Sequence, residues 1–493
     1  MNKTVAFGTT LPAYNETPPF HPDTPFAELP FTDTSPRANW PYTVMRQLFL
    51  SLGFDRERFG TPYWNPLGHL IQPGQTVALK PNFVLSFNGS GQDVFAVVTH
   101  PSILRALVDY VYIALQGAGR LVIADAPQMD CDWRALMQAQ RLEAIQEFYA
   151  RKFHFSIEVY DLRNFALINH RKAALTTNRQ TLPGDPAGSV IINLGARSHF
   201  YGLPSANYYG ADYNRQETIA HHHGDIHEYC VSKTILAADV LISVPKMKTH
   251  KKVGVTLNLK GLVGINTNKE YLVHYRLGTP KEGGDQLPEG LPGRDRMVVK
   301  VQRWVYDKLL ARQSKGADAV YQVARGMYSA TMKRMLHVSA DTVITDGGNW
   351  HGNDSAWRMT ADLAKILFFA DTLGKLRATP QRRLFCVVDG IIGGDRLGPL
   401  APDAKHCGCL IAGEHPMAVD LVTTRLMGFD PRRLRQFDVV FEAGWNFGLR
   451  SFADIEVRCG ERTIGGEVFF APESKEAYFG FAAHPAWQGH VEV

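Results

Sequence analysis

The densest chemistry in the sequence is a run of cations that begins where an apolar segment ends. The stretch "LISVPKMKTHKKVGVTLNLKGLVGINTNKEYLVHYRLG" places Lys246, Lys248, His250, Lys251 and Lys252 just after Pro245, then Lys260, Lys269, His274 and Arg276. Cations this close repel one another unless an anion is bound, and here they alternate with small and apolar residues. The pattern predicts a phosphate or carboxylate site in which Lys246, Lys260, Lys269, His274 and Arg276 hold the anion, with Lys248 and His250 as catalytic candidates. A solvated lysine-rich loop is the bland alternative. The imidazole of His250, ordinarily near pKa 6.5, should be pushed lower by the flanking lysines, stay neutral near pH 7 and act as general acid or base.

Three further clusters could complete a site. In "HHHGDIHEY", His223, Asp225 and His227 offer N and O donors to a divalent metal, although the spacing fits no diagnostic zinc motif and a capped, exposed helix start would use the same residues. In "DGGNWHGNDSAWRMTADL", Asp354 or Ser355 is expected to cap a helix beginning near Trp357. Arg358 in the first turn opposes the helix dipole, so it and Asn353 are read as ligand contacts. In "VVDGIIGGDRLGPLAPDAKHCG", Asp389 ends a strand and Gly393 and Gly394 shape a ligand-facing loop, without a Walker or dinucleotide fingerprint. Asp125 in "VIADAP" and Lys80 in "VALKP" hold similar strand-end positions. Asp125 and Asp389 are expected to orient a lysine, a hydroxyl or a metal, and Lys80 to touch substrate.

The elements that must position these groups read as an α/β protein with a largely parallel sheet and flanking helices. Strands are predicted at "QTVALKPNF", "RLVIADAP", "GSVIINL", "ADVLISVP" and "RLFCVVDG". "THPSILRALVDYVYIALQGAG" reads as a helix with Thr99 at its N-cap, making a right-handed crossover between the first two strands. Other helices are expected near "VMRQLFLSLGF", 133–150, 354–373 and 415–427. In such a sheet, loops leaving the C-terminal strand ends bind ligands. The chain divides into an irregular N-terminal extension (1–75), a first α/β half with the lysine loop (76–277), a Gly- and Pro-rich loop or lid with a helical insertion (278–340), and a second α/β half with a C-terminal extension (341–493).

Composition excludes several classes. With 493 residues, 45% hydrophobic and 20% charged, the chain can bury more than one ordinary core. Fifty-three Lys plus Arg against 48 Asp plus Glu leave a formal charge of +5, too small to imply nucleic-acid binding. No apolar run approaches the ~20 residues of a membrane helix, and "MNKTVAFGTTLPAYNETPPF" lacks a signal-peptide core. The six cysteines hold only one close pair, Cys407 and Cys409, so no iron–sulfur cluster is expected and reduced cytoplasmic thiols are the reading.

Taken together, "VALKPNF", "GAGRLVIADAP", "ADVLISVPKMKTHKKVGVTLNLKGLVGI" and "VVDGIIGGDRLGP…CLIAGEHPMAVDLVTTRLMGFDP" resemble the proteins grouped as domain of unknown function 362, over roughly residues 76–431. "GNWHGNDSAWRMTADL" resembles the longer branch of that family. The resemblance implies an α/β fold with an active cleft and a link to exopolysaccharide gene neighbourhoods. Many relatives carry a ferredoxin-like module whose cysteine runs this sequence does not contain, so iron–sulfur-linked or racemase-like activity stands only as a remote analogy. The expected function is a cytoplasmic enzyme acting on a small anionic substrate, such as a phosphorylated or nucleotide-linked sugar or a hydroxy acid. The competing class is a ligand-binding or scaffold protein without chemistry.

Overall fold

The computed structural model describes residues 1–167, 179–210, 215–310, 316, 339–442, 444–474 and 479–493. Among the described residues, eleven strands form one sheet: β1 Thr4–Thr9, β2 Thr76–Pro81, β3 Arg120–Asp125, β4 Ile157–Asp161, β5 Val240–Val244, β6 Lys246–His250, β7 Gly254–Val255, β8 Arg383–Asp395, β9 Asp403–Gly413, β10 Glu456–Cys459 and β11 Arg462–Gly465. Their order is β11-β10-β1-β9-β8-β5-β2-β3-β4, with β6 alongside the far half of β8 and β7 on β6. The run β8-β5-β2-β3-β4 is parallel throughout. The protein is therefore α/β with a largely parallel central sheet. β9 returns antiparallel to β8 and leads into the edge.

Period-two alternation builds a core on each face. Val77, Leu79, Leu121, Ile123, Val240, Ile242, Phe385 and Val387 face one layer, which holds α1 (Trp40–Ser51), α2 (Pro101–Leu115), α3 (Trp133–Gln140) and α4 (Leu142–Phe153). Ala78, Val122, Leu241, Cys386 and Val388 face the other. That layer contains α5 (Leu257–Gly261), α7 (Ala356–Phe369) and α8 (Pro416–Met427); α6 (Gly293–Leu310), between α5 and α7 in the chain, adds no residue to that core.

Several expectations are corrected. The N-terminal extension adds a strand that was not expected, β1, between β9 and β10 of the sheet, while the helix expected at "VMRQLFLSLGF" is α1, which buries Tyr42, Met45, Leu48 and Phe49. "GSVIINL" does form a strand, Ser189–Asn193, but it pairs antiparallel with Ile226–Ser232 in a separate small sheet. His100, not Thr99, caps α2, because the Thr99 hydroxyl donates to the Val244 carbonyl at 2.6 Å instead. The Gly- and Pro-rich segment after 278 is tied down rather than a free lid. Buried Asp285 accepts from Ser355 Oγ at 2.6 Å and from Asp354 N at 2.8 Å. The later part of the expected helical insertion, 317–338, falls outside the described residues.

Candidate functional site

Pro245 has no N–H to give a ladder, and it splits one apolar strand into β5 and β6. The chain runs on beside β8, whose pairing shifts register between Lys246 and Lys248. Alternation would turn Lys246, Lys248 and His250 to one side. Lys248 and His250 do line a cavity of about 300 Å³ at the C-terminal ends of β2 and β3. Lys260, Lys269, His274 and Asp125 share its wall, as do Lys251 and Lys252. The cations converge indoors at the sheet edge, as ligand sites in open α/β sheets do.

Six Lys and Arg side chains line the cavity against three Asp among the described residues. Asp125 pairs with Lys80 at 3.0 Å, and Asp346 with Arg303 at 3.3 Å. Asp125 also accepts from the backbone of Phe83 at 2.7 Å and Ala126 at 3.0 Å, which anchors it as a fixed carboxylate. Lys80 is buried behind it and does not line the cavity.

Each lysine is held differently. Lys248 donates to the Val97 carbonyl at 2.7 Å; burial, then Lys246 and Lys260, drive its pKa well below the usual lysine value. Lys269 donates to the Val263 and Asn266 carbonyls at 2.6 and 2.9 Å, and burial brings it down to about 7. Lys260 is 7% exposed, and its amine makes no hydrogen bond or ion pair among the described residues. Burial alone pushes it down to about 7. Its helix, α5, is only five residues long and is pinned from outside. The Asp420 carboxylate of α8 accepts from Asn258 N at 2.9 Å and from Leu259 N at 2.8 Å, meeting the unpaired amides of that helix start.

The two imidazoles present opposite faces. His250 Nδ1 accepts the Lys252 amide at 3.0 Å, so neutral His250 carries its proton on Nε2. His274 Nδ1 faces the Leu272 carbonyl at 3.1 Å and must be the protonated nitrogen, which leaves Nε2 as a lone pair. Burial, then Lys260 and Lys252, hold both rings well below the usual histidine pKa, so both are neutral at pH 7. His250 is thus fitted to donate a hydrogen bond, and His274 to accept a proton. The spacing of charges alone did not distinguish these roles.

Other site expectations fall elsewhere. Lys246 and Asp389 form a fully buried ion pair at 3.0 Å off the cavity wall. Tyr14 donates to Asp389 at 2.7 Å and accepts from Lys246 at 2.7 Å, so the cluster is internally satisfied and holds the N-terminal segment onto β8. Arg276 and Arg358 lie off the cavity wall, and both bind the Asp354 carboxylate, at 2.7 and 3.0 Å. Ser355 holds the N-cap position of α7, as expected, but without a side-chain cap; Asn353 Oδ1 instead accepts from Ser355 N and Ala356 N at 3.0 and 2.8 Å. Gly393 and Gly394 lie within β8, where a Cβ would stand 3.0 Å from the Met247 carbonyl and 2.8 Å from Lys248 Cβ; their smallness lets β6 pack closely. The second loop does reach the cavity, through Pro399 and Leu400.

The metal triad is not assembled. His223 and Asp225 are exposed at a hairpin turn while His227 is buried, because His227 pairs with His222 and Ile226 with His223 across the hairpin. Among the described residues, no three His, Cys, Asp or Glu side chains converge as a metal-ligand set.

Residues missed from the sequence include Asn82, Thr256, Arg303 and Asp346. Asn82 Oδ1 and Thr256 Oγ1 are buried on wall residues with no hydrogen-bond partner among the described residues. Asn82 directly follows β2, a strand-end signal of the kind already used for Lys80 and Asp125.

A family model described as "Domain of unknown function (DUF362)" matches residues 77–166 and 177–425, well over half of the chain. The chain belongs to the DUF362 family. No curated protein matches it. The DUF362 match spans β2, β3, β5, β6 and α5, and so includes the cavity lysines and both imidazoles. It leaves out β1, β10 and β11, the strands with which the two ends of the chain complete the sheet. No helix among the described residues is long and apolar enough to cross a membrane.

Proposed function

We propose that this DUF362 protein is an enzyme acting on a small anionic substrate, carboxylated or phosphorylated, bound at the end of β2, β3 and β6. The observation that carries the reading is the gathering of Lys248, Lys260 and Lys269 on one cavity wall, with the nearest carboxylate already neutralised by Lys80. Burying several amines together is unfavourable, and a bound anion offsets their repulsion. Lys248 and Lys269 hold the anion, His250 donates to oxygen that gains charge in the reaction, and His274 accepts a proton. A cavity of about 300 Å³ sits at the small end of ligand pockets, which favours a hydroxy acid or sugar phosphate over a nucleotide-linked sugar. A place in exopolysaccharide formation belongs to the same proposal and rests on the family resemblance alone.

The test is incubation of the purified chain with a mixed pool of small carboxylates and sugar phosphates, followed by mass spectrometry. Depletion of one compound with appearance of a product supports catalysis. Retention of a ligand in unchanged form would make the protein a binder, and no retention or turnover of any anion would end the reading.

A further inference from the structure

We infer that Lys260 is an amine nucleophile that forms an imine with the substrate, so that the substrate carries a carbonyl as well as an anionic group. This rests on the proposed reading of the cavity as an anion-handling active site. The geometry singles out this lysine. Lys80 is neutralised by Asp125, Lys248 is tethered to a carbonyl, and Lys269 to two. Lys260 alone of these four has no partner among the described residues, yet it is buried on the cavity wall. The Asp420 carboxylate fixes the start of its helix through the Asn258 and Leu259 amides.

The neighbours suit the step. Lys260 is the strongest charge felt by both His250 and His274, and the two rings line the same cavity. An amine desolvated to a pKa of about 7 is substantially unprotonated at neutral pH and can attack. The Lys260 nitrogen forms a bond to the carbonyl carbon while the C=O π pair moves to oxygen, which accepts a hydrogen bond from His250 Nε2–H; His250 keeps its proton throughout. The two amine protons pass in turn through His274 Nε2 to that oxygen. The oxygen leaves as water as the nitrogen lone pair forms the C=N bond. One amine and one carbonyl give one imine and one water, with no oxidant or reductant. Two sources share this chemistry: a 2-oxo acid, and the open-chain form of a sugar phosphate.

The experiment traps the imine in the full-length chain. Pyruvate, glyoxylate and dihydroxyacetone phosphate are each incubated with it at pH 7 and sodium cyanoborohydride, and the reduced adduct is mapped by peptide mass spectrometry. The expected result is one adduct per chain on Lys260, at least tenfold above any other lysine, and its loss in Lys260→Arg. Labelling by pyruvate or glyoxylate identifies an oxo acid, and labelling by dihydroxyacetone phosphate a sugar phosphate. Adducts scattered over surface lysines, or none on Lys260, overturn the inference. Because the adduct is mapped on the unaltered chain, that outcome does not depend on whether the variant folds. Calorimetry with the same three probes separates the two failures. Binding without a Lys260 adduct sinks the imine and leaves anion binding standing, whereas no binding sinks both.

Discussion

Lys80 and Asp125 face each other at 3.0 Å on neighbouring parallel strands, and Gly264 closes over the pair. A Cβ at Gly264 would stand 1.9 Å from Asp125 Oδ1 and 2.7 Å from Lys80 Nζ. Gly264→Ala must therefore separate this buried ion pair or displace the turn that follows α5. A loss of stability on the order of 3 kcal/mol is expected in urea unfolding. An effect below about 0.5 kcal/mol would mean that the turn yields freely and that the close approach is not structural.

Lys248→Ala removes a buried amine from the cavity wall while its Val97 carbonyl partner can relax toward water. The expected result is more than tenfold weaker binding of the anion that the metabolite test identifies, read by calorimetry. Lys281→Ala, at an exposed position in the segment after 278, serves as the control and should bind as the unaltered chain does. Equal affinity for both variants would remove Lys248 from the anion site.

What the sequence made legible was the backbone logic, because strand ends and apolar alternation are local signals. The parallel strands, α2 and the convergence of the lysines near β6 follow from that logic. Partner choice was not legible. Arg276 reads as a ligand contact because it belongs to the cation run, and Arg358 because it opposes a helix dipole; only the chain's tertiary course brings Asp354 to both. Lys246 reads as an anion ligand from the cation run and Asp389 as a catalytic strand-end carboxylate, yet Tyr14, 232 positions from Lys246, completes their cluster. The tautomers of His250 and His274 depend on single backbone groups that no spacing rule identifies.

Anion binding should be coupled to proton uptake. Burial leaves Lys260 and Lys269 near a pKa of about 7 in the free protein, and a bound anion favours their charged forms. Below pH 7 both are already largely protonated, so affinity should be nearly flat there. Above pH 7 each lysine must take up a proton on binding, and affinity should fall by up to about tenfold per pH unit per lysine. Sulfate is a suitable probe because its own charge is constant from pH 6 to 9. Calorimetry in buffers of different ionisation enthalpy should show net proton uptake at pH 8, and an affinity independent of pH across this range would contradict the lysine assignment.

Lys260 should lower the stability of the ligand-free protein, in a way that pH reveals. Its pKa falls from 10.5 to about 7 on folding, so the unfolded chain binds more protons between those values and stability rises with pH there. The penalty is complete below pH 7 and gone above 10.5. Each unit is worth about 1.4 kcal/mol, which sets a ceiling of about 5 kcal/mol on what Lys260→Met could recover. The variant should therefore unfold later than the parent chain at pH 7 in phosphate-free buffer, and the gap should narrow steadily toward pH 10. Stabilisation at pH 7 together with lost imine trapping would show a group kept for chemistry against the interest of the fold. A variant less stable than the parent at every pH would place Lys260 among the packing residues instead.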